Sequence, residues 1–313
     1  MMNIVFMGTP DFAVPVLQTI IDEGHTVSLV VTQPDRPKGR KRELTPPPVK
    51  VAALELGLPV FQPEKIRHDY QAVQEAAPDL IVTAAFGQLL PTEVLEIPAK
   101  GCINVHASLL PKYRGGAPIH QSIIDGEAET GVTIMYMVEK LDAGDMLLKR
   151  AIPITDEDNT GTMHDKLSKL GAQMIKEMLP KMEASVVEAE KQDEAAATFA
   201  PNIKKEQEVI DWTQDARSVF NHIRGLAPWP VAYTTLGETR LKLWSSVVAE
   251  GTTTEAPGTI VKLESDLLHV ACGDETVLAL KEVQPAGKKP MNVETFLRGA
   301  GAKLALGDKL GDL

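Results

Sequence analysis

The sequence predicts an α/β protein of two domains: a Rossmann-like parallel-sheet domain, then a small antiparallel β-barrel. Three observations predict it. Over residues 1–189 short apolar runs alternate with segments of helical period, the pattern of parallel strands joined by right-handed crossovers. Over 190–207 the chain is rich in Ala, Glu, Lys and Gln with little apolar period, and reads as a linker. Over 208–313 short alternating runs are separated by glycine or charged turns, as in small barrels. A length of 313 residues suits two domains better than one.

The elements follow in order. Residues 3–7 form an apolar strand. Residues 11–22 place Phe12, Val16, Leu17, Ile20 and Ile21 at helical spacing. Residues 26–32 are β-branched, a second strand. Residues 49–56 read as helix, 58–61 as a short extended piece, and 79–85 as a buried strand. Residues 102–106 and 132–138 continue the sheet. A long helix covers 159–182, with Thr160 as N-cap and Leu167, Leu170, Met174, Met178 and Leu179 on one face. In the second domain 216–226 reads as helix, and 232–236, 240–248, 258–263, 267–271 and 276–283 as strands. No internal repeat or low-complexity tract interrupts this pattern.

Composition bounds the function. Hydrophobic content of 43% is ample for two cores, and 4% aromatic makes them aliphatic. The net charge of −11 argues against broad affinity for nucleic acid, so any such contact must come from a local basic patch. The first residues carry no basic region and read as a core strand rather than a signal peptide. No stretch is long enough to span a bilayer, so a cytoplasmic protein without membrane contact is expected. Cys102 and Cys272 lie in different predicted domains and read as reduced thiols, Cys102 as a buried one rather than a nucleophile. Gly8-Thr-Pro lacks the G-x-G-x-x-G spacing, which speaks against a nicotinamide cofactor. His25, His68, His120, His164, His222 and His269 show no ligand spacing, so no metal is expected.

Chemistry concentrates at one strand end. Asn104 and His106 alternate to the same face of the strand at 102–106, at the end where open α/β sheets place ligands. Leu141-Asp142-Ala-Gly144-Asp145 follows some thirty residues later. An amide, an imidazole and a carboxylate together suit a reaction that forms an oxyanion beside a proton transfer. A second feature is the loop 33–48, where proline and glycine argue against regular structure. Arg36, Lys38, Arg40, Lys41 and Arg42 make five of the nine residues 35–43 basic. A polyanionic RNA end fits it.

Asn104-x-His106 with Ser108-Leu109-Leu110-Pro111-x-x-Arg114-Gly115, then Leu141-Asp142-x-Gly144-Asp145, resembles the folate-dependent formyltransferases. Gly8-Thr-Pro-Asp-Phe12, Thr32-Gln-Pro-Asp-Arg-Pro37, Gly131-Val-Thr-Ile-Met135 and Ala227-Pro-Trp229-Pro230 narrow the resemblance to the branch acting on methionyl-tRNA. The resemblance covers essentially the whole chain. It implies an OB-like barrel in the second domain and 10-formyltetrahydrofolate as the formyl-donor cosubstrate. The implied acceptor is the α-amino group of methionine on initiator tRNA, gripped by its acceptor arm, with no obligate protein partner. It also implies roles. Asn104 donates to the oxyanion, His106 donates and shuttles the proton, and Asp142 rather than Asp145 faces His106. Ser108, Leu109, Leu110 and Pro111 flank the pterin, and Phe86, Gln88, Leu90, Met137 and Val138 complete the folate pocket. Phe12 lines a methionine pocket, and Arg40 enters the acceptor arm. Two rivals stand beside this reading: a formyltransferase for a small amine, such as glycinamide ribonucleotide or an amino-sugar nucleotide, and a non-catalytic tRNA-binding protein. The acidic second domain would contact RNA only through a subset such as Arg240, Lys242, Lys281, Lys288 and Lys289.

Overall fold

In the computed structural model, which describes residues 1–39 and 41–311, the chain opens with β1 (Asn3–Gly8). From Ile4 onward its residues are buried or nearly so on both faces, as in a central parallel strand. A 3₁₀ turn at Asp11–Ala13 leads into α1 (Val14–Asp22), which buries Val16, Leu17 and Ile20. Then come β2 (Thr26–Val31), β3 (Arg36–Lys38), β4 (Glu43–Thr45), α2 (Pro48–Glu55) and β5 (Val60–Phe61). Next are α3 (Gln71–Ala76), β6 (Leu80–Ala84), α4 (Thr92–Leu95) and β7 (Cys102–His106). Finally α5 (Pro118–Ile124), β8 (Glu129–Tyr136), β9 (Met146–Pro153) and α6 (Thr160–Ala184) precede the second domain.

The first sheet runs β5-β2-β1-β6-β7-β8-β9. The neighbours from β5 to β7 are parallel, while β8 is antiparallel to β7. The sequence pattern implied parallel strands throughout. The helix between β7 and β8 does not serve as a crossover, because most of α5 belongs to the other compact unit, so β8 starts at the end where β7 stops. Strand order reverses beside β1, the switch point where such sheets leave a crevice at the carboxyl ends.

The loop at 33–48 also departs from expectation. Arg36 pairs with Thr45 and Lys38 with Glu43, forming a two-stranded hairpin. Pro37 is tolerated because a two-stranded ribbon consists only of edges. Gly39 and Arg42 take positive φ at the turn, and the Arg42 N–H donates to the Gly39 carbonyl at 3.2 Å. Arg40, expected here to enter an acceptor arm, lies outside the described residues.

Two compact units divide the chain. The first comprises residues 1–118, 130–152 and 164–201; the second comprises 119–129, 153–163 and 202 onward. Residues 190–201, read from sequence as linker, are therefore part of the first unit. Glu190 and Met146 exchange backbone hydrogen bonds at 2.8 and 2.7 Å, and the Ala200 N–H donates to the Arg114 carbonyl at 2.7 Å.

In the second unit α7 (Ala216–Leu226) is capped by Asp215, which accepts from the N–H groups of Arg217 and Ser218 at 2.9 and 3.1 Å. The strands β10 (Tyr233–Leu236), β11 (Thr239–Val248), β12 (Ile260–Leu263), β13 (Leu268–Ala271), β14 (Val277–Pro285) and β15 (Met291–Asn292) follow, then α8 (Val293–Arg298). The sheet order is β10-β11-β14-β13-β12, all antiparallel, with β15 added on β14. It is a curled half-barrel: among the described residues the outer strands β10 and β12 do not pair with each other. Trp212, Phe220, Ile223, Leu243 and Phe296 anchor its core. Among the described residues no helix is long and apolar enough to cross a membrane.

Candidate active site

β7 delivers the two polar groups expected of it. Strand alternation puts Asn104 and His106 on one face, about 6.6 Å apart along the strand. His106 is 6% exposed. Its Nε2 lies 2.9 Å from the Tyr113 carbonyl. A carbonyl only accepts, so Nε2 carries a hydrogen. The other nitrogen, Nδ1, therefore faces Asp142, whose Oδ2 is 3.7 Å away. That is ion-pair distance, longer than a hydrogen bond. The same Oδ2 accepts the Gly115 N–H at 2.8 Å, which aims the carboxylate. The expected convergence of residues 106 and 142 is present.

Asn104 is held by a residue that sequence reading missed. The Thr83 hydroxyl, on the neighbouring strand β6, donates to Asn104 Oδ1 at 2.8 Å. With its oxygen engaged, the amide presents Nδ2, which has only a loose contact to Met135 Sδ at 4.0 Å. A donor so oriented suits a developing oxyanion.

Glycines shape the carboxylate loop. A Cβ on Gly144 would lie 1.8 Å from the Tyr136 carbonyl oxygen, so only glycine lets 142–145 pass this close to β8. Arg114 is the largest fully buried side chain among the described residues and ion-pairs with Glu194 at 2.9 Å. Hydrogen bonds from Arg114 and Lys140 bring the Glu194 carboxyl down to about 2. Arg114 was visible in the sequence run after Pro111, but Glu194 carried no signal there. Burial pushes the Cys102 thiol up to about 12, so it stays protonated, consistent with an inert buried thiol.

The remaining candidates divide. Ser108 and Leu110 turn inward: Ser108 Oγ donates to the Lys112 carbonyl at 2.7 Å, and Leu110 packs with Met135 and Met146. They shape the turn, whereas Leu109 and Pro111 remain partly exposed. Gln88 spends its amide on backbone, accepting from the Ile66 N–H at 2.7 Å and donating to the Pro63 carbonyl at 3.1 Å. It still lines, with Leu90, a surface groove that includes Ile66, Pro91 and Glu139. Phe86 is buried at 4% and belongs to the core beneath β6, as does Leu90. Met137 is partly buried, with its sulfur 3.1 Å from the Thr83 hydroxyl, and Val138 is exposed. Phe12 is buried, edge-on to His164 with centroids 5.7 Å apart. On the hairpin, Arg36 pairs with Glu64 at 2.9 Å, while Lys38, Lys41 and Arg42 are exposed.

Comparison with known proteins fits this geometry. The profile of the Formyl transferase family matches residues 2–179, and that of the Formyl transferase C-terminal domain matches 202–301. A protein of Bacillus subtilis called methionyl-tRNA formyltransferase is 58% identical over 313 residues, covering 99% of this chain and 98% of its own. The chain belongs to the methionyl-tRNA formyltransferase family. Its relative of the same name in Lysinibacillus sphaericus is 57% identical over 311 residues, 99% of each chain. Among solved structures, the sugar 3N-formyl transferase WlaRD, studied with dTDP and 5-N-formyl-THF, superposes with a TM-score of 0.67. It covers 92% of this chain and 99% of its own at 17% identity, a likeness of fold.

Proposed function

We propose that this chain transfers the formyl group of 10-formyltetrahydrofolate to the α-amino group of methionine on initiator tRNA. The observation that carries the reading is His106 Nδ1 set 3.7 Å from the Asp142 carboxylate at the end of β7, beside Asn104, in a member of this family. A free α-amino group has a pKa of about 7.7–8.0, so part of it is neutral and nucleophilic without help. Its nitrogen attacks the formyl carbon, and the carbonyl oxygen becomes an oxyanion. Asn104 Nδ2 is the donor for that charge; losing one such donor typically costs about 2.7–4 kcal/mol in the transition state. The proton leaves the attacking nitrogen for His106 Nδ1, where the facing carboxylate stabilises the imidazolium. The tetrahedral species then collapses. The carbon–N10 bond breaks, N10 takes the proton, and formyl-methionyl-tRNA and tetrahydrofolate leave. The groove lined by Gln88 and Leu90, the partly exposed Leu109 and Pro111, and the exposed Val138 are the surfaces offered to the folate. Phe12 backs the methionine side chain. The exposed hairpin cations Lys38, Lys41 and Arg42 suit the acceptor arm, which a small amine acceptor would not need.

The test is formyl transfer from 10-formyltetrahydrofolate to methionyl-tRNA, run beside free methionine and an amino-sugar nucleotide. Turnover with the aminoacyl-tRNA alone is expected. Comparable turnover with the sugar nucleotide would overturn the reading.

A further inference from the structure

The backbone at Asp142 is left-handed, with φ of 48°, a conformation that aspartate tolerates better than most residues and that its neighbours here reinforce. One side chain supplies the reinforcement. Gln192 Nε2 donates to the Asp142 carbonyl at 2.7 Å and to the Gly144 carbonyl at 2.8 Å. An amide nitrogen carries two hydrogens, so both are used. Its Oε1 accepts from Arg114 Nε at 3.1 Å and Nη2 at 2.8 Å. The amide cannot flip, because the reversed orientation would set its N–H groups against a buried guanidinium. Glu194 fixes the far side of that guanidinium.

The residues on either side of Arg114 complete the arrangement. The Tyr113 carbonyl takes the His106 Nε2–H, and the Gly115 N–H holds Asp142 Oδ2. Three consecutive residues thus touch the imidazole, Gln192 and the carboxylate in turn. The strap bearing Gln192 is zipped to the same stretch. The Arg114 N–H donates to the Thr198 carbonyl at 2.9 Å, and the Tyr113 N–H to Thr198 Oγ1 at 2.9 Å.

We propose that Gln192 is a positioning residue for the transfer reaction: its amide clasps the backbone at 142 and 144 to Arg114 and thereby sets the Asp142 carboxylate against His106. The inference rests on the reading of Asp142 as the catalytic carboxylate. Gln192 is half-buried outside the hydrophobic cores, and its hydrogen bonds are spent on this loop and this arginine rather than on general packing. A displacement of about 1 Å in such a group can cost on the order of 10²-fold in rate.

Gln192→Glu tests it. The variant keeps the size and the acceptor facing Arg114, but turns an oxygen toward two carbonyls. We expect kcat to fall about 10- to 100-fold, with KM for folate and tRNA within about threefold, because a group acting in the transition state is what moves. The decisive readout is a double-mutant cycle with Asp142→Ala. If Gln192 acts through Asp142, Gln192→Glu costs nothing further in the Asp142→Ala background. A kcat within twofold of wild type for Gln192→Glu, or two losses that multiply, overturns the proposal. Wild-type turnover in Asp142→Ala alone would instead overturn the reading of Asp142 and the proposal with it, so the two failures are told apart. Thermal melting of each variant separates misfolding from misplacement, and Gln192→Leu supplies the same cycle should the glutamate variant not fold.

Discussion

At the scale of single residues, the direction of one hydrogen bond decides the chemistry. The Tyr113 carbonyl can only accept, so Nε2 of His106 carries the hydrogen and Nδ1, the nitrogen facing Asp142, is the one left to take the proton in the proposed reaction. His106→Ala is expected to lower kcat by about 10²–10⁴-fold, the range of general acid–base contributions. The buried Tyr113 carbonyl loses this partner, about 1–3 kcal/mol, so the melting curve should shift down by several degrees while the transition stays cooperative. Turnover near wild type would remove His106 from the reaction. Glu194 makes a separate prediction about pH. Its folded pKa of about 2 lies below the ordinary 4.5, owing to hydrogen bonds from Arg114 and Lys140. A depressed carboxyl contributes stability that is complete above 4.5 and is lost as pH falls toward 2. The difference in melting temperature between wild type and Glu194→Gln should therefore shrink across that window; a constant difference would contradict it. Asn104 and His106 were readable in sequence because alternation on a strand is a short-range rule, whereas Asp142 was singled out through the family resemblance. Thr83, Gln192 and Glu194 were not readable, because each meets its partner across 21, 50 or 80 residues of chain.

At the scale of elements, what proved legible was what burial enforces. β1, β2, β6 and β7 are mostly buried runs because both faces are covered, and α6 shows its stripe over seven turns. α3 and α4 have 6 and 4 residues, too few to display a period, and β9 alternates only weakly. The direction of β8 was hidden because an apolar run of this kind reads the same in a parallel and an antiparallel strand. The β3–β4 hairpin was hidden by its proline. Its root is nonetheless anchored: Asp35 accepts from Lys50 Nζ at 2.8 Å and from Gln62 Nε2 at 2.8 Å, and these bonds hold its carboxyl below the usual range. The loop at 142–145 is likewise an element whose shape the sequence announces through one residue, Gly144. Gly144→Ala places a methyl 1.8 Å from the Tyr136 oxygen, so the loop must shift away from β8. Turnover is expected to fall at least about tenfold, since 1 Å of displacement at the carboxylate suffices for that. Unchanged kcat would mean that the loop can relax without moving Asp142.

At the scale of the whole molecule, the question is how a chain of net charge −11 binds a polyanion. Its overall field repels nucleic acid, so affinity must come from cations grouped on one element. The hairpin supplies them within the first unit: Lys38, Lys41 and Arg42 are exposed, whereas Arg36 is already paired with Glu64. Each phosphate neutralised contributes about 0.7–0.9 to the slope of log K against log salt. Three hairpin contacts predict a slope of about −2 to −3 for the proposed tRNA acceptor, shallow beside that of strongly basic proteins, and little affinity for bulk DNA. Replacing Lys38, Lys41 and Arg42 by alanine should reduce that slope by about 2 to 3 and raise KM for methionyl-tRNA at least about tenfold. KM for the folate should not change, because the surfaces proposed for the folate lie on the loops after β6, β7 and β8. Filter binding across a salt series, with the wild type and the triple variant side by side, measures both. A slope undiminished by the triple replacement would take Lys38, Lys41 and Arg42 out of the RNA contact.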